Sequence, residues 1–362
     1  MMLGCASISS LAGKTAGMLR LAALAMVVYA APAAAADPSQ PLKVPAPVPA
    51  RPPAAAPAKP VAAVAADAAK ARARVMAGVQ SFAYQLVGLK LAEAESSPYD
   101  LIIVDATTGH GDGQPLTAAD VARLKRKPDG SRRLVLSYLS IGEAEDYRPD
   151  YFATEYMTED APDWLMSENP QWKGNRIIRF CHEGWQRTVL GDDKGRSLYN
   201  SIEPSPLYRL VELGLDGVAL DRVDVYGEVK KECPDARAKM VDFVARLAAH
   251  ARKKNAGFLV LLHNAEELLV EPRMIAAIDA AVKEDLIYNA GKEGTANPES
   301  MIRPSIASLD LARKAGKPVL VIDYLKDRAR IEEARRRIES HGFIAYFGPR
   351  KLDSLWLPGV NF

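Results

Sequence analysis

The chain of 362 residues (39.3 kDa) is 48% hydrophobic and carries a formal net charge of +2 at pH 7, which supplies a sizeable core and excludes disorder of the whole chain. Basic residues dominate the first part, at Lys14, Arg20, Lys43, Arg51, Lys59, Lys70, Arg72 and Arg74, so residues 81–362 are mildly acidic. Such a body argues against nucleic acid as the main ligand and suits a neutral or cationic substrate.

Lys14 and Arg20 lead into the apolar stretch Leu21–Ala31, and Ala34-Ala35-Ala36 offers a small-residue cleavage site before Asp37. This pattern predicts a cleaved export signal over residues 1–36. The stretch is too short to span a bilayer and runs into Pro32, and Cys5 lies ahead of it, which does not suit a lipoprotein. The expected product is periplasmic or extracellular, with no stable membrane span once the signal is removed. Residues 37–80 read as a linker: PLKVPAPVPARPPAAAPAKP is an extended, semi-rigid composition, and Ala62–Val79 has helical propensity without a convincing apolar stripe.

From Ser81 onward strands and helices alternate. FAYQLVG (82–88), LIIVD (101–105) and LVLSYLS (134–140) are strand candidates, with a helix at Ala118–Lys125. A long excursion then carries Tyr147, Tyr151, Trp164, Trp172 and Trp185, with NRIIRF (175–180) as a strand inside it and Leu207–Leu213 as a helix. GVALD (217–221) follows, then a helix whose stripe is Met240, Phe243, Val244 and Leu247. FLVLLHN (258–264), AAVKED (280–285), PVLVIDY (318–324) and FIAYFG (343–348) complete the strands, separated by helical spans such as Ser305–Lys314 and Ile331–Ser340. Alternation at this length predicts an α/β fold, a (β/α)8 TIM barrel in one domain over residues 81–362. Nine strand candidates compete for eight places, RIIRF or FIAYFG being extra or irregular.

Five of these runs finish on an acid: Asp105, Glu143, Asp221 with Asp224 three residues on, Glu284 with Asp285, and Asp323. In a (β/α)8 barrel the residues past the strand C-terminal ends line the active-site mouth. Each acid taken alone reads equally well as the N-cap of the next helix; five together favour a cleft.

Cys181 and Cys233 are able to pair in an oxidising compartment. Neither Cys-x-x-Cys nor His-x-His spacing occurs, so no zinc site is expected. Neither a Gly-x-Gly-x-x-Gly nor a Walker sequence follows a strand, and no cofactor is expected. His263 is the one histidine placed in the cleft, as a substrate contact or a satisfied packing residue. Acids in an open mouth, without metal spacing or an activated serine or cysteine, point to acid/base work on an acetal, which needs one protonated and one charged carboxyl. Trp164, Trp172, Trp185, Tyr147, Tyr226, Tyr288 and Tyr324 are candidate sugar-stacking surfaces, or packing between excursion and barrel.

YLSIGEAEDYR (138–148), NPQW (169–172) with EGWQ after it, GVALDRVDVY, HNAEEL (263–268) and VKEDLIY (282–288) together resemble the family 114 glycoside hydrolases, the endo-α-1,4-polygalactosaminidase-like group of exported TIM barrels. The resemblance runs from about Phe82 to about Gly348. It implies an endo-hydrolase of α-1,4-linked, galactosamine-containing polysaccharide whose catalytic Asp and Glu fall on Asp221 and Glu284. Asp105, Glu143 and Asp224 become supporting acids for a cationic amino sugar, and Tyr138, Trp185, His263, Asn264 and Tyr324 join them as substrate-binding residues. The chain departs from the family pattern at Phe180-Cys181-His182 and at Lys283 and Asp285 around the later Glu. Glu284 is the expected proton donor and Asp221 the nucleophile or water activator, with exchange of the roles open. A non-catalytic polysaccharide-binding barrel, or a hydrolase or deacetylase of another envelope polymer, are the rival readings.

Overall fold

The computed structural model describes residues 61–108, 113–148, 161–192, 194–196, 204–290, 292 and 294–355. The expected export signal, the Pro/Ala-rich stretch up to residue 60 and Tyr151 lie outside them. No helix of the described residues is long and apolar enough to cross a membrane.

Eight strands form one parallel sheet in the order β1 (Phe82–Gln85), β2 (Leu101–Val104), β3 (Leu134–Ser140), β7 (Gly217–Asp221), β8 (Leu259–His263), β9 (Ala280–Glu284), β10 (Val319–Asp323) and β11 (Ile344–Phe347). The sheet curls into a nearly closed (β/α)8 barrel. Leu101, Ile102, Ile103 and Val104, like Val218, Ala219 and Leu220, are wholly buried, as strands covered on both faces must be. The intervening helices include α3 (Ala118–Leu124), α6 (Ala236–Lys254), α8 (Glu299–Lys314) and α9 (Arg328–Ser340). The expected α6 stripe of Met240, Phe243, Val244 and Leu247 is fully buried. At α3 the Thr117 hydroxyl accepts from the Asp120 N–H while the Asp120 carboxylate accepts from Thr117, a reciprocal cap that fixes where the helix begins.

β11 is therefore a barrel strand, and the surplus candidate is β6 (Asn175–Ile178). It lies between β4 (Glu143–Glu145) and β5 (Leu165–Glu168) in a small antiparallel sheet within the connection from β3 to β7. Gly142 starts that connection. A side chain there would meet the Arg222 carbonyl at 2.2 Å, so only glycine lets the chain turn this close to the β7 loop.

No ladder joins β1 to β11 among the described residues. Side chains and the segment after β11 close the seam instead. The Phe82 and Tyr346 rings lie 5.5 Å apart, and the Leu352 carbonyl accepts from the N–H groups of Leu86 and Val87, both at 2.9 Å. The Tyr99 and Tyr346 hydroxyls both donate to the Leu355 carbonyl at 3.0 Å.

Residues assigned to the linker form α1 (Val61–Ala77), part of the folded unit. Arg72 donates through Nε to Asp279 (3.0 Å) and through Nη1 to the Ala256 carbonyl (2.8 Å), and Met76 and Val79 are buried. One guanidinium and two apolar side chains near the C-terminal end make this contact, so no stripe marks it in the sequence. Cys181 and Cys233 form a disulfide, joining the segment before α4 (Glu183–Leu190) to the one before α6.

Candidate active site

The strand ends carry a pattern of their own. Arg222 follows Asp221, Asn264 and Ala265 follow His263, and Asp285 follows Glu284; all four have φ between +52° and +57°. Left-handed backbone at a residue with a side chain costs on the order of 1 kcal/mol, and its concentration at three neighbouring strand ends marks where the fold gives up stability for geometry. The ladder places Asp221 beside Ser140, Glu284 beside Ile322 and His263 beside Val282.

These ends surround a cavity of about 230 Å³ whose lining includes Tyr84, Tyr138, Trp172, Asp221, Asp224, Asn264 and Glu284. The expected pair thus shares one cleft. Larger depressions, about 820 Å³ around Tyr226 and Arg237 and about 720 Å³ between α1 and α6, lie elsewhere and touch neither acid.

Among the described residues no guanidinium donates to Asp221; its Oδ2 lies 3.0 Å from the Tyr138 hydroxyl. Burial, with the charges of Glu284 and Asp224, raises its pKa to about 6 against the opposing pull of His263 and the Arg222 N–H. Glu284 is the reverse case. Burial alone would raise its pKa, but His263, Tyr324 and Asn264 outweigh it and hold the carboxyl down at about 2. His263 Nε2 lies 3.0 Å from Glu284 Oε2, Asn264 Nδ2 donates to the same oxygen at 3.2 Å, and the Tyr324 hydroxyl donates to Oε1. Burial would lower the His263 pKa, yet the Glu284 charge and contact raise it above its ordinary value. Tyr84 completes this corner, its ring edge-on to His263 at 5.4 Å and 90°.

The other strand-end acids are held differently. Asp105 is buried and takes both Arg148 Nη atoms at 3.0 and 2.7 Å, anchoring an arginine. Glu143 is buried too, accepting from Asn169 (2.6 Å) and Asn175 (2.9 Å) with Arg222 Nε at 2.7 Å. Asp224, half exposed on the cleft wall, faces Arg222 Nη1 at 3.2 Å. Asp285 accepts from Arg350 at 2.6 Å. Asp323 is fully buried and accepts from the Ile287 N–H at 3.3 Å.

The aromatics divide as well. Trp185, expected at the substrate, is wholly buried; its Nε1 donates to the Ile141 carbonyl at 2.8 Å and its ring packs on Trp164 at 5.1 Å. Trp172 lies in the cleft lining and is 60% exposed. Tyr226 and Tyr288 donate to Glu267 (2.6 Å) and Glu333 (3.1 Å), away from the pair. Tyr138, His263 and Tyr324 serve the two carboxyls directly, and Asn264 serves Glu284. Sequence reasoning missed Tyr84, Glu145, Arg148 and Arg222; only the i, i+3 spacing of Glu145 and Arg148 hinted at their ion pair.

The model of the glycoside-hydrolase family GH114 matches residues 61–358. An uncharacterised protein of Deinococcus radiodurans is 34% identical over 285 residues, covering 78% of this chain and 84% of that protein. One of Methanocaldococcus jannaschii is 29% identical over 299 residues, covering 77% and 80%. Among solved structures, the glycoside hydrolase domain of PelA from Pseudomonas aeruginosa has a TM-score of 0.57 at 22% identity, covering 77% of this chain and 98% of that one. Ega3 of Aspergillus fumigatus, in complex with galactosamine, has a TM-score of 0.53 at 18% identity, covering 77% and 94%.

Proposed function

Because the chain belongs to glycoside-hydrolase family GH114, we propose that this glycoside hydrolase cuts an α-1,4-linked, galactosamine-containing polysaccharide internally, with Asp221 and Glu284 as its catalytic pair. One observation carries the reading: two carboxyls line one cleft, one with a raised and one with a lowered pKa, the division of labour that cleavage of an acetal requires. Asp224 on the cleft wall suits an ammonium group, and the galactosamine bound to the structural relative Ega3 supports an amino sugar. The leader-like N-terminus and the Cys181–Cys233 disulfide support export to the periplasm or beyond.

In the reaction a proton passes to the glycosidic oxygen, the anomeric C–O bond breaks, and water supplies the hydroxyl that replaces it. The resting charges favour Asp221 as the donor and Glu284 as the charged partner, the exchange of the roles read from sequence. The His263 contact favours a second assignment, in which the imidazolium passes its proton to Glu284 and Asp221 acts as carboxylate. An activated aryl glycoside, whose leaving group needs no proton, separates them. Under the first assignment Asp221→Ala retains cleavage of that substrate and Glu284→Ala does not; the reverse outcome establishes the second. Polymer cleavage undiminished in either variant refutes the pair. Product sizing on galactosamine polymers, chitosan and peptidoglycan tests the substrate, and binding without new reducing ends would mark a binding barrel.

A further inference from the structure

The Tyr138 hydroxyl stands between two acids, 3.0 Å from Asp221 Oδ2 and 3.0 Å from Glu145 Oε1. A phenol has one proton to give, and an ionised carboxylate only accepts. Both contacts are attractive only when one carboxyl brings a proton of its own.

Glu145 is the one of the two with a guanidinium against it. Arg148 donates to it through Nε, and that guanidinium is fixed by the two-pronged grip of Asp105. A cation locked beside a carboxyl favours its charged form. The Arg222 guanidinium, the nearest cation to Asp221 in sequence, is spent on Glu143 (2.7 Å), Asp224 (3.2 Å) and Glu228 (2.6 Å). The other ionisable groups acting on Asp221 are His263 and Glu284, which face each other as an ion pair, and Asp224. Tyr84 and Tyr138, both buried, have pKa values well above the usual tyrosine range and stay protonated.

We propose that Glu145, acting through Tyr138, keeps the proton on Asp221: Asp221 donates to the phenol oxygen, and the phenol donates to Glu145. Both are positioning residues. The inference rests on Asp221 being a catalytic carboxyl and adds how its proton is retained before substrate arrives.

Glu145→Gln reverses the chain. A side-chain amide can donate to the phenol oxygen, which frees the phenol proton for Asp221 and favours the carboxylate. The Asp221 carboxyl band in the infrared spectrum, identified by its loss in Asp221→Asn, should then titrate about one pH unit lower, a tenfold shift between the two forms. The limb of the kcat/KM pH profile that Asp221 governs should move the same way. An Asp221 band that titrates at the wild-type pH or higher overturns the proposal. Neutron diffraction from wild-type crystals held below the Asp221 transition gives the same answer without a variant: the phenol deuterium directed at Glu145 supports it, and one directed at Asp221 overturns it. The infrared and neutron readouts need no substrate, so failure here is distinct from failure of the proposed activity, which would show as undiminished turnover in Asp221→Asn.

Discussion

The wall and the floor of the barrel mouth carry the same residue types and treat them in opposite ways. On the wall, around β4 and β6, Asp105 and Glu143 are buried against Arg148 and Arg222 with Asn169 and Asn175. On the floor, Asp221 and Glu284 face phenols, an amide and an imidazole, and both line the cavity. A guanidinium stays charged at every accessible pH and offers its acid a fixed set of donors with no proton to exchange. Phenols and imidazole can rearrange their protons, so the acids beside them can change state. The partner, more than the acid, decides whether a strand end serves architecture or chemistry.

The sharpest way to break this contrast is to neutralise each side in turn. Asp221→Asn or Glu284→Gln should lower turnover by about 10²–10⁴-fold, the usual range for a lost acid or base, with an unchanged far-ultraviolet circular dichroism spectrum; wild-type turnover in either removes the floor from the chemistry. Asp105→Ala should act on the fold, because it strands the Arg148 guanidinium with one partner fewer. Breaking a buried pair this way costs about 3–5 kcal/mol, to be read from denaturant unfolding, and a loss under about 1 kcal/mol would mean the wall is not built on its ion pairs.

Asp323 is a third kind of acid, buried without a cation, and it sharpens the comparison. Burial and the Asp285 charge raise its pKa from 3.8 to about 8. As pH rises the unfolded chain ionises first, so the stability from this group is intact below pH 3.8 and is lost progressively up to about pH 8. Asp323→Asn removes that loss. Its melting temperature should match wild type near the acid end of this window and exceed it increasingly toward pH 8; a constant difference would show that Asp323 does not titrate there. The smallest effect is expected at the rim. Trp172→Ala should raise KM for long polymer about tenfold and leave kcat alone, the mark of binding shared equally by ground and transition states; an unchanged KM would take Trp172 out of the substrate path.

The barrel was legible because strands covered on both faces leave apolar runs; the runs also marked Asp221 and Glu284 as strand-end acids, but only the family resemblance set this pair, which lines one cavity, apart from the other three. What the sequence hid depends on contacts made at a distance. Trp172 and Trp185 look alike as letters, yet a turn between β5 and β6 exposes one while α4 buries the other. The β4 sequence Glu-Ala-Glu has little strand propensity; it pairs with β6 while Glu143 meets Asn169 and Asn175 far along the chain. Arg148 and Arg222 read as ordinary surface charges until the fold closes Asp105 and Glu143 over them. FIAYFG competed with RIIRF for the surplus place; in the barrel its Ile344 and Ala345 are only partly buried, a signature of the seam rather than of a central strand.

That seam bears on how the molecule is made. A ribosome delivers β1 first, while the Leu352 carbonyl that fastens the chain just after it, at Leu86 and Val87, emerges some 260 residues later. Every intermediate length of nascent chain therefore carries an unfastened first strand, and the slowest, most distant closure is left to the end of synthesis.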